Sequence, residues 1–311
     1  MTSTDCPVDL KEVTVVLPTK NEEKAIGPVI DEILSVGVPK ENIIVVDGYS
    51  TDRTREIAES KGVKVILQEG TGKAKAIATA VKYIKTRWTL IMDCDYTYPA
   101  KYIPELLRKA VLENLDEVIG ARLKGRENIP AIFKLGNWAL TKTFNLIFGT
   151  SLRDVLSGMY IVRTDVLKEI NFEMKGFSVE AEIAAHVAST SGRIGEIPIE
   201  YRPRIGEKKL KVYHGFKIFV DIIRLAWRYN PTFLIFAIGS LLLIPGVVLA
   251  AYVAVMYIFY GIKYWAKGLL SAILCTTGLN SLLLAIFAIY LKRAECRILQ
   301  NIRKLVEKFC T

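Results

Sequence analysis

Residues 13–47, VTVVLPTKNEEKAIGPVIDEILSVGVPKENIIVVD, decide how the rest of the chain is read. The segment opens on a short apolar, β-branched run, 13–17, that ends at Pro18. Ile26, Val29, Ile30, Ile33 and Leu34 then recur at three- and four-residue spacing, the period of a helix with one apolar face. A second apolar run follows at 43–46. Strand, helix, strand with both strands apolar throughout is the pattern of a parallel sheet covered on both faces.

Working outward, the alternation continues. Residues 51–61 are predicted as a helix with Ser50 or Thr51 as N-cap and Gly62 as its stop. Strands are expected at 63–67, 89–92 and 117–120, and helices at 73–85, 102–114 and 136–148. The fold class is therefore α/β: a mostly parallel, Rossmann-like sheet with helices on both faces. Ligands of such sheets sit at the carboxyl ends of the strands. Those ends carry Pro18-Thr19-Lys20-Asn21-Glu22, then Asp47-Gly48, then Asp93-Cys94-Asp95. Two carboxylates directly after the apolar run WTLIM are costly unless a cation binds between them. An anionic phosphate ligand and an acidic pair are compatible when Mg²⁺ or Mn²⁺ bridges them, because both ions take oxygen ligands from one or two carboxylates plus phosphate.

The last third differs sharply. Neither 232–260 nor 268–291 contains a charged residue, and each exceeds the ~20 residues a helix needs to cross a bilayer. The pattern predicts a transmembrane hairpin over 231–291, with spans at about 232–260 and 268–291. Before it, 213–230 reads as an amphipathic interface helix, with Phe216, Phe219, Val220, Ile223 and Trp227 on one face and Lys217, Asp221, Arg224 and Arg228 elsewhere. Behind it, 292–311 reads as a basic tail bearing Lys292, Arg293, Arg297, Arg303, Lys304 and Lys308. The positive-inside rule puts both ends of the hairpin in the cytoplasm. The opening MTSTDCPVDLKE has neither a basic n-region nor an apolar h-region, so the expected location is the cell membrane, multi-pass, with the domain at 1–212 and both termini cytoplasmic.

Composition narrows the function. The 311 residues carry a formal net charge of +10 and a mean hydropathy of +0.28. Much of the basic excess flanks the apolar spans, which favours anionic lipid over nucleic acid as partner. Without aromatic–basic interleaving, no nucleic acid is expected. Cys6, Cys94, Cys275, Cys296 and Cys310 show no paired spacing, and the two histidines, His186 and His214, exclude a histidine-rich metal centre.

PTKNE, VVDGYSTDRT, QEGTGKAKA, DCD followed by Pro99, SGMY and YRPRIGEKKL, in this order over roughly 13–212, resemble the polyprenyl-phosphate sugar synthases of glycosyltransferase family 2. The resemblance implies a GT-A-type catalytic domain and transfer of a hexose, with inversion, from a nucleotide-sugar to dolichyl or polyprenyl phosphate. GDP-mannose is the first donor expected and a UDP-sugar such as UDP-glucose the next. It implies that Pro18, Lys20, Glu22, Asp47, Lys73, Asp93, Cys94 and Asp95 bind the donor. It further implies that Asp93 and Asp95, with Thr97, hold the metal. Arg122, Lys134 and Ser157 are implied to meet the acceptor phosphate, and Arg202 or Arg204 to cover the diphosphate. Glu180 or Glu182 falls in a region where one acid can face the sugar, and Gly158 completes the S-G turn. Gly48 stands where a second Asp is frequent, and Lys208 where a serine is usual. Two other readings stand beside this one: transfer to a hydroxyl of a lipid-linked saccharide or polysaccharide, which needs a general base, and a non-catalytic membrane-tethered scaffold.

Overall fold

The computed structural model describes residues 8–173, 178–206 and 213–310. Its strands are β1 (Val13–Thr19), β2 (Ile43–Asp47), β3 (Lys64–Leu67), β4 (Trp88–Met92), β5 (Glu117–Lys124), β6 (Met159–Arg163) and β7 (Ile194–Glu200). Its helices are α1 (Ile26–Val36), α2 (Thr54–Ser60), α3 (Lys73–Val81), α4 (Ile103–Leu112), α5 (Ala131–Phe148), α6 (Thr164–Glu169), α7 (Val179–Thr190), α8 (Tyr213–Tyr229), α9 (Pro231–Tyr260) and α10 (Trp265–Cys310). The chain divides into two units, Met1–Leu225 and Ala226–Thr311.

In the first unit the seven strands lie in the order β3-β2-β1-β4-β6-β5-β7. β1 pairs in parallel with β2 and β4, β2 with β3, and β5 with β7, while β6 runs antiparallel to both of its neighbours. β2 and β4 are buried at every position, as strands covered on both faces must be. One core layer joins Val15, Leu17, Val45, Leu90, Met92 and Ile161 to Ile26, Ile30 and Ile33 of α1 and Leu106 and Leu107 of α4.

Strand order positions the site. The carboxyl ends of β1, β2, β4 and β5 emerge at one edge. Reversal of β6 brings its start to the same edge, with Met159 opposite Met92, so the turn Ser157-Gly158 meets Asp93. The Asp93 amide donates to the Gly158 carbonyl at 3.2 Å.

α5 starts at Ala131 rather than 136 and α3 ends at Val81 rather than 85, and three further elements differ from expectation. α2 begins at Thr54 rather than 51, because Ser50 and Thr51 are held by other loops. The Ser50 amide donates to Asp47, the Asn21 amide donates to Ser50, and the Thr51 amide donates to Asn21. Asp52 instead accepts the Thr54 amide at 3.1 Å. β5 runs on to Lys124, so Arg122 lies within a strand rather than after one. α8 is not a helix with one apolar face. Ile218, Ile222 and Leu225 are buried together with Asp221, while Phe216, Phe219 and Ile223 are exposed. Asp221 accepts a hydrogen bond from the Ser178 hydroxyl at 2.6 Å. A stripe placed by spacing alone identifies one apolar face and misses the second, whose sole acid is hydrogen-bonded by Ser178 and lies 3.6 Å from Arg224.

In the second unit, two helical stretches, Pro231–Tyr260 and Trp265–Leu291, are long and apolar enough to cross a membrane. At 1.5 Å per residue each reaches about 40 Å or more. They pack on each other through small residues: a Cβ at Gly246 would come within 2.9 Å of the Cys275 backbone, and one at Gly278 within 2.7 Å of Leu243.

Candidate active site

β4 delivers Asp93, Cys94 and Asp95 to the strand edge. Asp93 takes the Lys73 ammonium on Oδ1 at 2.5 Å, and the same ammonium reaches Glu180 Oε1 at 2.5 Å. Lys73 is the first residue of α3, after Gly72 in a positive-φ conformation, and Glu180 is the second residue of α7. Two helix starts therefore aim opposite charges at one point beside β4. Burial disfavours the Lys73 charge, but Asp93 and Glu180 outweigh it and hold the pKa above its ordinary value. Burial lifts the Glu180 carboxyl; Lys73 opposes this in part, and the nearby Asp93 charge pushes it further up.

Asp95 is buried. Thr97 donates its amide and its hydroxyl to Oδ1 at 3.1 and 2.5 Å, and Arg204 reaches Oδ2 at 3.0 Å. Burial, and then the neighbouring Asp93 charge, raise the Asp95 pKa. Arg204 also bonds Glu22 at 2.6 Å. Its segment is tied back to the acidic turn, since the Arg202 amide donates to the Thr97 carbonyl and the Ile205 amide to the Asp95 carbonyl. Arg202 itself turns to Glu32 at 2.6 Å and lies over the Tyr96 ring. The Cys94 side chain points into the core, and burial pushes its thiol pKa up, so its thiol is inert.

Asp47 is fully buried at the end of β2. Its Oδ2 accepts the Ser50 amide at 3.0 Å, and its Oδ1 has no hydrogen-bond partner. Gly48 beside it has a packing reason to be glycine: a Cβ would meet the Thr19 carbonyl at 3.2 Å and Gln68 at 3.3 Å.

Arg122 is engaged by a partner that the sequence reading did not single out. Its Nε and Nη2 each donate to Asp154 at 2.7 Å, its amide donates to the same carboxylate at 3.0 Å, and Nη2 also reaches the Leu156 carbonyl at 3.0 Å. Asn137 adds a bond to Asp154 at 2.9 Å. An acid three residues before the S-G turn is the one signal that could have identified it. Ser157 is fully buried, and its hydroxyl donates to the Gly120 carbonyl, pinning β6 to β5. Glu182 is buried and accepts the Glu173 amide.

A cavity of about 450 Å³ gathers part of this set. Lys73, Asp93, Asp95, Arg122, Lys134 and Arg204 line it, and so does Glu180. Pro18, Lys20, Glu22, Asp47, Cys94, Thr97, Ser157 and Arg202 do not. The rest of the wall is largely apolar, with Ile129, Phe133 and Leu140 prominent, and it carries two further cations, Arg126 and Arg153. Among the described residues, no group of three or more His, Cys, Asp or Glu could hold a metal by itself. The donor set at Asp93 and Asp95 is two hard carboxylates already drawing cationic groups. That suits Mg²⁺ or Mn²⁺ sharing its ligands with a diphosphate and does not suit an all-protein cage.

Residues 14–170 match the family model described as glycosyl transferase family 2. Over 206 residues the chain is 36% identical to the dolichyl-phosphate hexose transferase of Haloferax volcanii, covering 66% of this chain and 89% of that protein. Over 258 residues it is 31% identical to glycosyltransferase AglJ of the same organism, covering 81% and 84%. In fold it is similar to glucosyl-3-phosphoglycerate synthase from Mycobacterium tuberculosis, solved with Mn²⁺, UDP-glucose and phosphoglyceric acid. The TM-score is 0.58 at 23% identity, over 70% of this chain and 79% of that one.

Proposed function

The chain belongs to glycosyl transferase family 2, and from that premise we propose that it transfers a hexose from a nucleotide-sugar to the phosphate of a dolichyl or other polyprenyl lipid, with inversion at the anomeric carbon. One observation carries this reading. A single cavity is lined by the paired carboxylates Asp93 and Asp95, by the cations Arg122, Arg126, Lys134 and Arg153, and by apolar side chains. A polyprenyl phosphate has matching parts: an anion for the cations and a hydrocarbon for the apolar wall.

The chemistry asks little proton transfer of the protein. A phosphate monoester is largely ionised near neutral pH, its second pKa being about 6. The protein's tasks are to hold two anions together, align them and stabilise the leaving group. Asp93 and Asp95 would hold Mg²⁺ or Mn²⁺, with Thr97 fixing the Asp95 rotamer; the bound ion supplies Lewis-acid stabilisation of the departing nucleoside diphosphate. Arg204 would exchange Asp95 and Glu22 for the diphosphate. Lys73 keeps Asp93 and Glu180 from repelling each other. The orphaned Oδ1 of Asp47 supports its reading as acceptor for an N–H of the nucleobase. GDP-mannose and then UDP-glucose are the donors to try first. The proposed topology places the catalytic unit and both termini in the cytoplasm.

The rival reading, transfer to a sugar hydroxyl, has Glu180 as its candidate base because the carboxyl lines the cavity and its pKa is raised. Its bond to Lys73 favours a structural charge instead. The purified full chain, supplied in parallel with labelled GDP-mannose and UDP-glucose, distinguishes the two. Labelled dolichyl phosphate, formed only with Mg²⁺ or Mn²⁺, is the expected product. Label entering a lipid-linked saccharide while the free lipid phosphate stays unlabelled would reverse the conclusion. NMR of the product settles the stereochemistry: an α-linked donor should give a β-linked lipid.

A further inference from the structure

We propose that two copies of this chain pair in parallel along the outer face of α10, through Asn280 within the apolar span and through an apolar stripe beyond it. Gly278 of α10 packs against Leu243 of α9, and Ser271 and Ala285, one heptad to either side, are buried with it. On the opposite side of the helix Ile273, Asn280, Leu284 and Phe287 are exposed. Lipid covers the apolar ones at no cost; Asn280 is the informative residue. It lies near the middle of the stretch Trp265–Leu291, about 16 Å short of Leu291. Ser271, Thr276 and Ser281 each donate to a backbone carbonyl of the hairpin at 2.8 Å. Asn280 makes no side-chain hydrogen bond among the described residues. Hydrocarbon offers a carboxamide no partner, so its N–H groups and its oxygen need another polar group at the same depth.

The helix runs on past the span without a break, to Cys310. There the sequence carries Leu291, Ile298, Ile302, Leu305 and Phe309, at steps of seven, four, three and four. By helical period all five fall within about 40° of Asn280. Lys292, Arg293, Arg303, Lys304 and Lys308 fall well away from that line. Leu291 and Ile298 are each more than half exposed. Outside hydrocarbon such a stripe needs cover, and apolar residues at these steps are the seam of paired helices. A second copy fits both features. A carboxamide donates and accepts, so it is complementary to itself, and a two-fold axis along the membrane normal sets Asn280 opposite Asn280. The same axis sets stripe against stripe beyond the span and leaves the cations outside the seam. An antiparallel partner would send the two tails to opposite sides and cover neither stripe. One polar residue on such a seam also fixes its register.

The inference rests on α9 and α10 spanning a bilayer, not on the identity of donor or acceptor, so its test needs no turnover. The full chain, carrying a donor or an acceptor fluorophore at its N-terminus, is reconstituted in phosphatidylcholine liposomes. Energy transfer between copies is followed as lipid is added. Flotation in alkaline carbonate reads the spanning separately; a chain stripped from the vesicles removes the premise and the proposal with it. The native chain should show transfer above chance proximity, and unlabelled chain should compete it away. Asn280→Leu should raise the density needed for half-maximal transfer about tenfold, and Asn280→Gln, which keeps the carboxamide, should recover most of that loss. Ile298→Glu combined with Leu305→Glu should raise it at least as far, with the helix content by circular dichroism unchanged. Transfer no greater than chance in the native chain would overturn the proposal, as it would if a different membrane protein covers the stripe. So would association that either Asn280→Leu or the double variant leaves unchanged.

Discussion

Replacing Arg122 by alanine tests the central ion pair most directly. Asp154 is 2% exposed. The substitution removes both side-chain bonds at 2.7 Å and leaves the carboxylate only the residue-122 amide and Asn137. Removing one partner of a buried pair costs about 3–5 kcal/mol, because the charge left behind is desolvated. For a unit of this size 1 kcal/mol moves Tm by about 2–4 °C, so the catalytic unit should melt roughly 10 °C lower. The pH dependence follows from Asp154. Burial pushes its carboxyl up, and the Arg122 guanidinium outweighs this and holds it below the usual range. A depressed carboxylate contributes stability that is complete above its unfolded pKa of ~3.9 and is lost as pH falls through the lower folded value. In Arg122→Ala the guanidinium no longer opposes burial, so Asp154 takes up its proton at higher pH. The deficit should be largest near neutrality and shrink on acidification. Thermal unfolding of the full chain in nanodiscs at pH 7 and pH 5 reads both effects. Adding Asp154→Leu should return most of the lost Tm, since no buried charge remains, yet transferase activity should stay low because the guanidinium is absent. A Tm loss of only a degree or two, or one unchanged between the two pH values, would refute the reasoning.

Other outcomes follow from the same geometry. Chelation with EDTA should abolish transfer, Mg²⁺ or Mn²⁺ should restore it, and Asp95→Asn should lower kcat by about 10²–10³-fold at saturating metal, measured by product formation. Gly158→Ala puts a Cβ onto the Asp93 carboxylate; displacing that group by about 1 Å should cost on the order of 10² in kcat/KM with little change in circular dichroism. Lys73→Met removes a cation that competes for Asp93, so the metal concentration for half-maximal activity should fall by up to about tenfold, equivalent to 1.4 kcal/mol at short range, while kcat drops.

Much was legible in the chain before any coordinate was considered. Short apolar runs such as IIVV and WTLI, rich in β-branched residues and unbroken by charge, read as strands covered on both faces, and helical spacing between them points to a parallel sheet. Because such a sheet exposes its carboxyl edge, Asp47 and the pair Asp93 and Asp95 were placed at one rim by periodicity alone. The same holds for the uncharged spans after Pro231. These are local properties, set by backbone periodicity and by the cost of burying charge, and a linear sequence records them fully.

Pairing across the fold was decided elsewhere. Nothing near Arg122 announces that Asp154 will grip it, nor does TGKAKA show that Lys73 will sit between Asp93 and Glu180. Those contacts exist because β6 runs backwards between β4 and β5, bringing Ser157-Gly158 against Asp93, and because α3 and α7 both begin beside β4. Ser157, read from its motif toward the acceptor, instead ties two strands together. Asp221 makes one face of α8 part of the core by finding Ser178. Spacing along a chain fixes which side of an element is apolar; which distant charge meets it depends on strand order and direction, which arise only when the sheet assembles.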